Sequence, residues 1–114
     1  MLRLRFRRVL PDKSERLRGW LAELSERAGE VRLTFVDETV RHEQAYIIET
    51  AEGEVLVYAI ELEDLERSQS AYSGSTHSID REHKAVMAEC LGERLELLPL
   101  YDVSLDEGAG SGAE

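Results

Sequence analysis

The stretch Ser75-Thr76-His77-Ser78-Ile79-Asp80-Arg81-Glu82-His83 concentrates the side chains best suited to proton chemistry. Two of the chain's three histidines lie here, six residues apart, with Asp80 midway between them. If a helix begins at Ser78, Asp80 and His83 are three residues apart and share a face, while His77, just before the helix, can bend back toward the same place. A carboxylate beside an imidazole raises its basicity and fixes its tautomer, as a general base requires. The same trio offers two nitrogens and an oxygen to a divalent metal, but the spacing matches no standard zinc pattern, so no metal is expected. The competing explanation is structural. Thr76 or Ser78 caps the helix, Asp80 complements the positive helix start, and Glu82 and His83 face solvent.

Glu43 is the fourth candidate. It reads as part of a strand, between His42 and Gln44. Facing inward, it is a buried acid in need of a partner. Arg3, Arg5 or Arg7 can supply one as a structural ion pair, or Glu43 faces His77 or His83 and completes an acid–base site. His42 points to the opposite face of the strand and is left outside. Cys90 is the chain's one cysteine, which excludes an internal disulfide and suits a small core residue. Trp20, Phe35, Tyr46, Tyr58, Tyr72 and Tyr101 fit core and pocket lining better than a cofactor box. No Gly-rich phosphate loop, nucleophile elbow or dinucleotide fingerprint occurs, and the polar surroundings of His77 and His83 do not suit haem, so no cofactor is expected.

These candidates must be held by regular elements, and the periodicities supply them. Residues 2–10 alternate apolar and basic, as in a strand with one face buried and one polar. Pro11 stops it, and Asp12 or Ser14 can cap the next helix. Leu17, Trp20, Leu21, Leu24, Ala28 and Val31 then form one apolar helical stripe, predicting a single helix that runs on to Asp37 or Glu38. Val40 to Ile48 reads as a strand, residues 49–54 as a hairpin turn, and Val55 to Ile60 as a central strand. Leu62 to Tyr72 reads as a short helix, Ser73-Gly74-Ser75-Thr76 as a break and Ile79 to Leu91 as a helix ended by Gly92. Arg94 to Tyr101 is the last expected strand. The order, strand–helix–strand–strand–helix–strand, is the ferredoxin-like α+β pattern, with helices on one face of a four-stranded antiparallel sheet. A chain this small rarely leaves a whole sheet face bare, so a second copy is expected to cover the other face.

A length of 114 residues suits a single domain, here residues 1–103, with an acidic, Gly-rich tail from 104 to 114 expected to be disordered. No segment approaches the roughly 20 apolar residues that cross a bilayer, and the Arg-rich start lacks an apolar signal core, so a cytoplasmic protein without membrane contact is expected. The net charge of −10 is unevenly spread: residues 1–20 carry a balance of +5 and the remainder −15. So acidic a chain repels a phosphate backbone, which argues against nucleic acid as the main partner. The basic cluster at the start suits pairing with the chain's own carboxylates better than an anion site.

Several of these segments resemble a known family. Trp20-Leu21-Ala22-Glu23-Leu24, the strand containing Glu43, Leu56-Val57-Tyr58 leading to Glu63-Asp64-Leu65, and above all Ser75-Thr76-His77-Ser78-Ile79-Asp80 with His83 carry the likeness. The family is uncharacterised and comprises small bacterial and archaeal proteins. The resemblance spans roughly residues 2–100, and its most specific motif is Ser-x-His-Pro-Ile-Asp-x-x-His. This chain has Ser78 where that motif has proline, which leaves the loop less rigid. Members look similar to the dimeric α+β barrels, a superfamily that includes small monooxygenases, sugar mutarotases and stress-response barrels. The resemblance implies a homodimer with a pocket between sheet and helices in each subunit, and Glu43, His77, Asp80 and His83 as the polar signature. It implies no particular activity. Two readings stand. One is a small-molecule-binding or enzyme-like barrel in which His83 or His77 is the base, Asp80 its orienter and Glu43 a second acid or base. The other is a non-catalytic dimerisation module whose polar cluster only pins a loop.

Overall fold

A computed structural model describes residues 1–105 of the chain. The elements run β1 (Leu2–Val9), α1 (Ser14–Glu26), α2 (Ala28–Glu38), β2 (Val40–Thr50), β3 (Gly53–Leu62), α3 (Leu65–Ser73), α4 (Ser78–Cys90) and β4 (Leu91–Leu95). The sheet has the order β2-β3-β1-β4, every neighbour antiparallel. This is the ferredoxin-like arrangement, with each of the two helical connections divided into a pair of helices. No helix among the described residues is long and apolar enough to cross a membrane.

The first helical stripe is one surface made from two helices, not the single helix expected. The break falls at Arg27, whose N–H still reaches the carbonyls of Glu23 and Leu24. The Arg27 side chain bonds carboxylates on three sides, Glu23 of α1, Glu30 of α2 and Glu82 of α4. A residue held by three elements need not continue either helix, and the periodicity survives because only its axis turns. The end of α2 at Glu38 agrees with expectation. Thr39 takes a left-handed conformation there (φ 56°), and its hydroxyl accepts from the Asp64 N–H, tying the start of β2 to the start of α3.

Four other boundaries differ from expectation. Neither Asp12 nor Ser14 caps α1: Lys13 holds the cap position without a side-chain bond, and Asp12 makes the left-handed turn after Pro11 instead. The hairpin is tighter than the polar run suggested, because Thr50 pairs with Gly53 and Glu49 with Glu54, leaving two residues in the turn. Gly53 has φ +124°, where any side chain would be strained. Gly92 does not end α4. The chain passes from Cys90 directly into β4, and Gly92 lies within that strand, where an added Cβ would sit 3.0 Å from the Leu10 side chain. β4 itself stops at Leu95, opposite Phe6, instead of running on to Tyr101. Pro99, without an N–H, interrupts the donor pattern that a longer strand would need. The expected tail lies, from residue 106 onward, outside the described residues.

The core joins Val9 and Leu56 of the sheet to Leu17 and Trp20 of α1 and to Ile79, Val86 and Cys90 of α4. Leu56 fixes which face of the sheet the helices cover. Arg7 stands opposite Leu56, Arg5 opposite Tyr58 and Arg3 opposite Ile60, so these three arginines of β1 point toward the helices. Leu2, Leu4 and Phe6 point away from them, beside Ala59 and Val57 of β3 and Tyr46 and Ile48 of β2. On this open face Leu2, Leu4, Tyr46 and Ile48 are 64%, 47%, 50% and 47% exposed.

Candidate functional site

A cleft of about 730 Å³ runs between the helices and the sheet and opens past the end of β4 toward Leu4 and Leu97. Its walls include Glu43 of β2, Tyr58 of β3, Glu38 of α2, Tyr72 of α3, and Asp80 and His83 of α4. The alternation of β2 and β3 aims Glu43 and Tyr58 inward. The helical spacing of α4 puts Asp80 and His83 on one side, since they are three residues apart.

His83 is fixed at both ring nitrogens. The Trp20 indole N–H donates to its Nδ1 at 2.8 Å, and its Nε2 lies 3.3 Å from the Tyr58 hydroxyl. An indole can only donate, so Nδ1 must present a lone pair and the neutral ring carries its proton on Nε2. That N–H then points at the Tyr58 oxygen, and the Tyr58 proton is left to bond something else. Burial pulls the His83 pKa down, against an opposing push from Asp80. Tyr72 packs edge-on to the same ring, 6.4 Å away between centroids. His83 therefore orients Tyr58. It cannot accept a proton at Nδ1 without losing its bond to Trp20.

The acids behave differently from one another. Burial raises Glu43 to about 7, opposed by Arg5 and assisted by Asp80. Burial raises Glu38 to about 8, with Asp80, Glu43 and Asp37 adding to the rise and Lys84 opposing it. Glu38 is only 9% exposed. Neither carboxyl has a hydrogen-bond donor among the described residues. Asp80, by contrast, accepts from the Ser75 hydroxyl at 2.6 Å, and the same hydroxyl accepts from the His77 N–H at 3.1 Å. Burial also lifts both tyrosines, Tyr72 to about 12 and Tyr58 well above the ordinary phenol, aided by nearby carboxylates.

Of the four residues singled out from the sequence, Glu43, Asp80 and His83 line one cavity. His77 is elsewhere: it holds the N-terminal position of α4, and its Nε2 pairs with Asp37 at 2.9 Å on the outer surface. Neither Thr76 nor Ser78 caps α4; Ser75 ties the loop instead. His42 is exposed on the face opposite Glu43. Among the described residues no three His, Cys, Asp or Glu side chains are placed to hold a metal ion.

Tyr58 and Tyr72 line the cavity, as the sequence suggested, and Arg5 is the arginine of β1 whose charge acts on Glu43. Glu38 is the residue the sequence did not single out. Both Glu38 and Tyr58 carry a signal in the pattern of their elements. Glu38 lies four residues after Thr34, and both are buried on one side of α2. Tyr58 shares parity with Leu56, the most buried residue of its strand. Comparison with curated proteins and with solved structures finds no match. The model of a family of unknown function (DUF6176) matches residues 2–106, and the chain belongs to that family.

Proposed function

We propose that this protein is a homodimeric α+β barrel whose subunits each bind a small polar, carbonyl-bearing molecule and exchange a proton with it through Glu43. The observation that carries this reading is the Glu43 carboxyl itself: it borders a cleft of about 730 Å³, lacks a hydrogen-bond donor among the described residues and has its pKa raised to about 7. A base poised near neutral pH is half ionised where it works, which suits reversible proton transfer. Tyr58 supplies the complementary group. Glu43 would take a proton from the carbon beside the carbonyl as the electron pair moves onto oxygen. Tyr58, its own oxygen already bonded by His83, would donate to that oxygen. The ferredoxin-like sheet with one apolar, exposed face supports the barrel reading.

Cyclohexanone in deuterated water provides the test. Deuterium uptake at its α-carbons should accelerate with added protein, and the rate should rise as pH passes through about 7, where Glu43 ionises. Glu43→Gln should abolish the acceleration, and Tyr58→Phe should cut it by roughly 100-fold, the usual effect of removing one oxyanion donor. Uptake that ignores both substitutions would sink the catalytic reading. The loop supports a second, narrower reading for part of the cluster: the bonds from Ser75 to Asp80 and from His77 to Asp37 pin the start of α4. On this reading His77, through its bonds to Asp37 and Ser75, positions the loop and takes no part in the chemistry.

A further inference from the structure

After Leu95 the chain leaves the sheet, and residues 96–105 form neither helix nor strand. This segment is the opposite of a solvated linker. In residues 97–105, Asp102 is the one charged side chain, in a protein whose composition is 33% charged. Leu97, Leu98, Leu100, Tyr101, Val103 and Leu105 are all large and apolar, and all are exposed, from 59% at Leu97 to fully at Leu100 and Leu105. A second concentration of exposed apolar side chains among the described residues is the open sheet face, where Leu2, Leu4, Tyr46 and Ile48 flank Phe6 and Val57.

We propose that residues 97–105 are an exchanged arm that packs on the open sheet face of a second copy of this chain. The inference rests on the homodimer reading and adds what holds the dimer together. Reach permits it: nine extended residues span up to roughly 30 Å, whereas a four-stranded sheet is about 15 Å across. Composition favours it, because a stretch nearly free of charge matches the apolar centre of that face, around Leu4, Phe6, Tyr46 and Ile48, in a molecule otherwise too acidic to self-associate by charge. Position favours it as well. The arm departs from β4 at the edge of the sheet, where Leu95 stands opposite Phe6 of the open face. Past that pair, Leu2–Arg5 of β1 have β3 as their one ladder partner, so the arm's own sheet keeps an unpaired edge beside the point of departure. Glu96 and Leu97 also line the cavity, so an arm drawn taut onto a partner would set one rim of the pocket.

The test uses the full chain. A variant with Leu98→Ser, Leu100→Ser and Tyr101→Ser changes only exposed side chains, so the fold is kept, and the far-ultraviolet spectrum verifies this. Leu33→Ser, an equally apolar and 60% exposed position on α2, is the control. By analytical ultracentrifugation the triple variant should dissociate at a concentration at least tenfold higher than the unaltered chain, and the control should not differ. Isotope-filtered NMR on a mixture of labelled and unlabelled chains should show Leu100 and Tyr101 contacting Leu4 or Tyr46 of the other molecule. An unaltered dimer in the triple variant overturns the arm while leaving the dimer intact. Contacts found only within one molecule overturn the exchange. A full chain that is monomeric at 100 μM overturns the arm and the dimer together.

Discussion

Glu38 and Glu43 give the folded protein an unusual response to pH. Each has its folded pKa raised above the ordinary 4.5, to about 8 and about 7. The folded state therefore holds these protons more tightly than the unfolded chain. The stability they confer is complete below about pH 4.5 and is lost as pH rises toward 7 and 8. The surface acids Glu30, Glu54, Glu82 and Glu89 oppose this at the other end: their arginine, lysine and serine partners hold them below the usual range, so their contribution disappears on acidification. Urea denaturation at pH 5 and pH 8 should show the protein weaker at pH 8, and Glu38→Gln should shrink that difference. An equal difference in wild type and variant would mean that Glu38 ionises freely. The sequence showed Glu43, Asp80 and His83 as candidates because their types are distinctive. It did not show Glu38, whose burial depends on α2 folding back over α3 and the sheet.

The elements were legible to the extent that period alone decides them. Strands β2 and β3, helix α4 and the end of α2 follow from alternation or helical spacing. The breaks follow from single side chains, which is why they were misplaced: Arg27 binds three acids on three helices, and Gly92 serves a close approach to Leu10 instead of a helix end. The loop before α4 shows the same dependence on one group. Ser75 bonds both the Asp80 carboxylate and the His77 N–H. Ser75→Ala leaves a buried carboxylate without that donor, at a cost of about 1–3 kcal/mol. Chemical denaturation measures the loss. A change below a few tenths of a kcal/mol would show that water replaces the hydroxyl and that the loop is pinned mainly by His77 and Asp37.

At the scale of the molecule, the alternation in β1 carries the most information and was half read. That the strand has an apolar and a basic side is plain from Leu2, Arg3, Leu4, Arg5, Phe6 and Arg7. Which side meets the helices is not, because both sides have something to meet. The structure sends Arg5 toward Glu43 and the cavity and leaves Leu2 and Leu4 on the open face. Leucines outside and arginines within suit a surface that a partner covers. Two chains of net charge −10 repel each other as they approach, so the proposed dimer should tighten as salt screens that repulsion. Sedimentation at roughly 20 mM and 200 mM sodium chloride tests this, the two lying on either side of a Debye length of about 10 Å. Weaker association at the higher salt would mean that ion pairs, not apolar contact, dominate the interface.

The bond from Trp20 to His83 has an optical consequence. Trp20 is the chain's one tryptophan, and its indole N–H rests on an imidazole that forms part of the cavity wall. Indole emission is quenched by a neighbouring imidazolium far more than by neutral imidazole, and its colour follows the polarity around the ring. Excited at the red edge of the absorption band, where tyrosine is silent, the protein would broadcast from a single lamp beside its own pocket. A molecule entering the cavity, or a proton arriving at His83, would change that emission with no label attached.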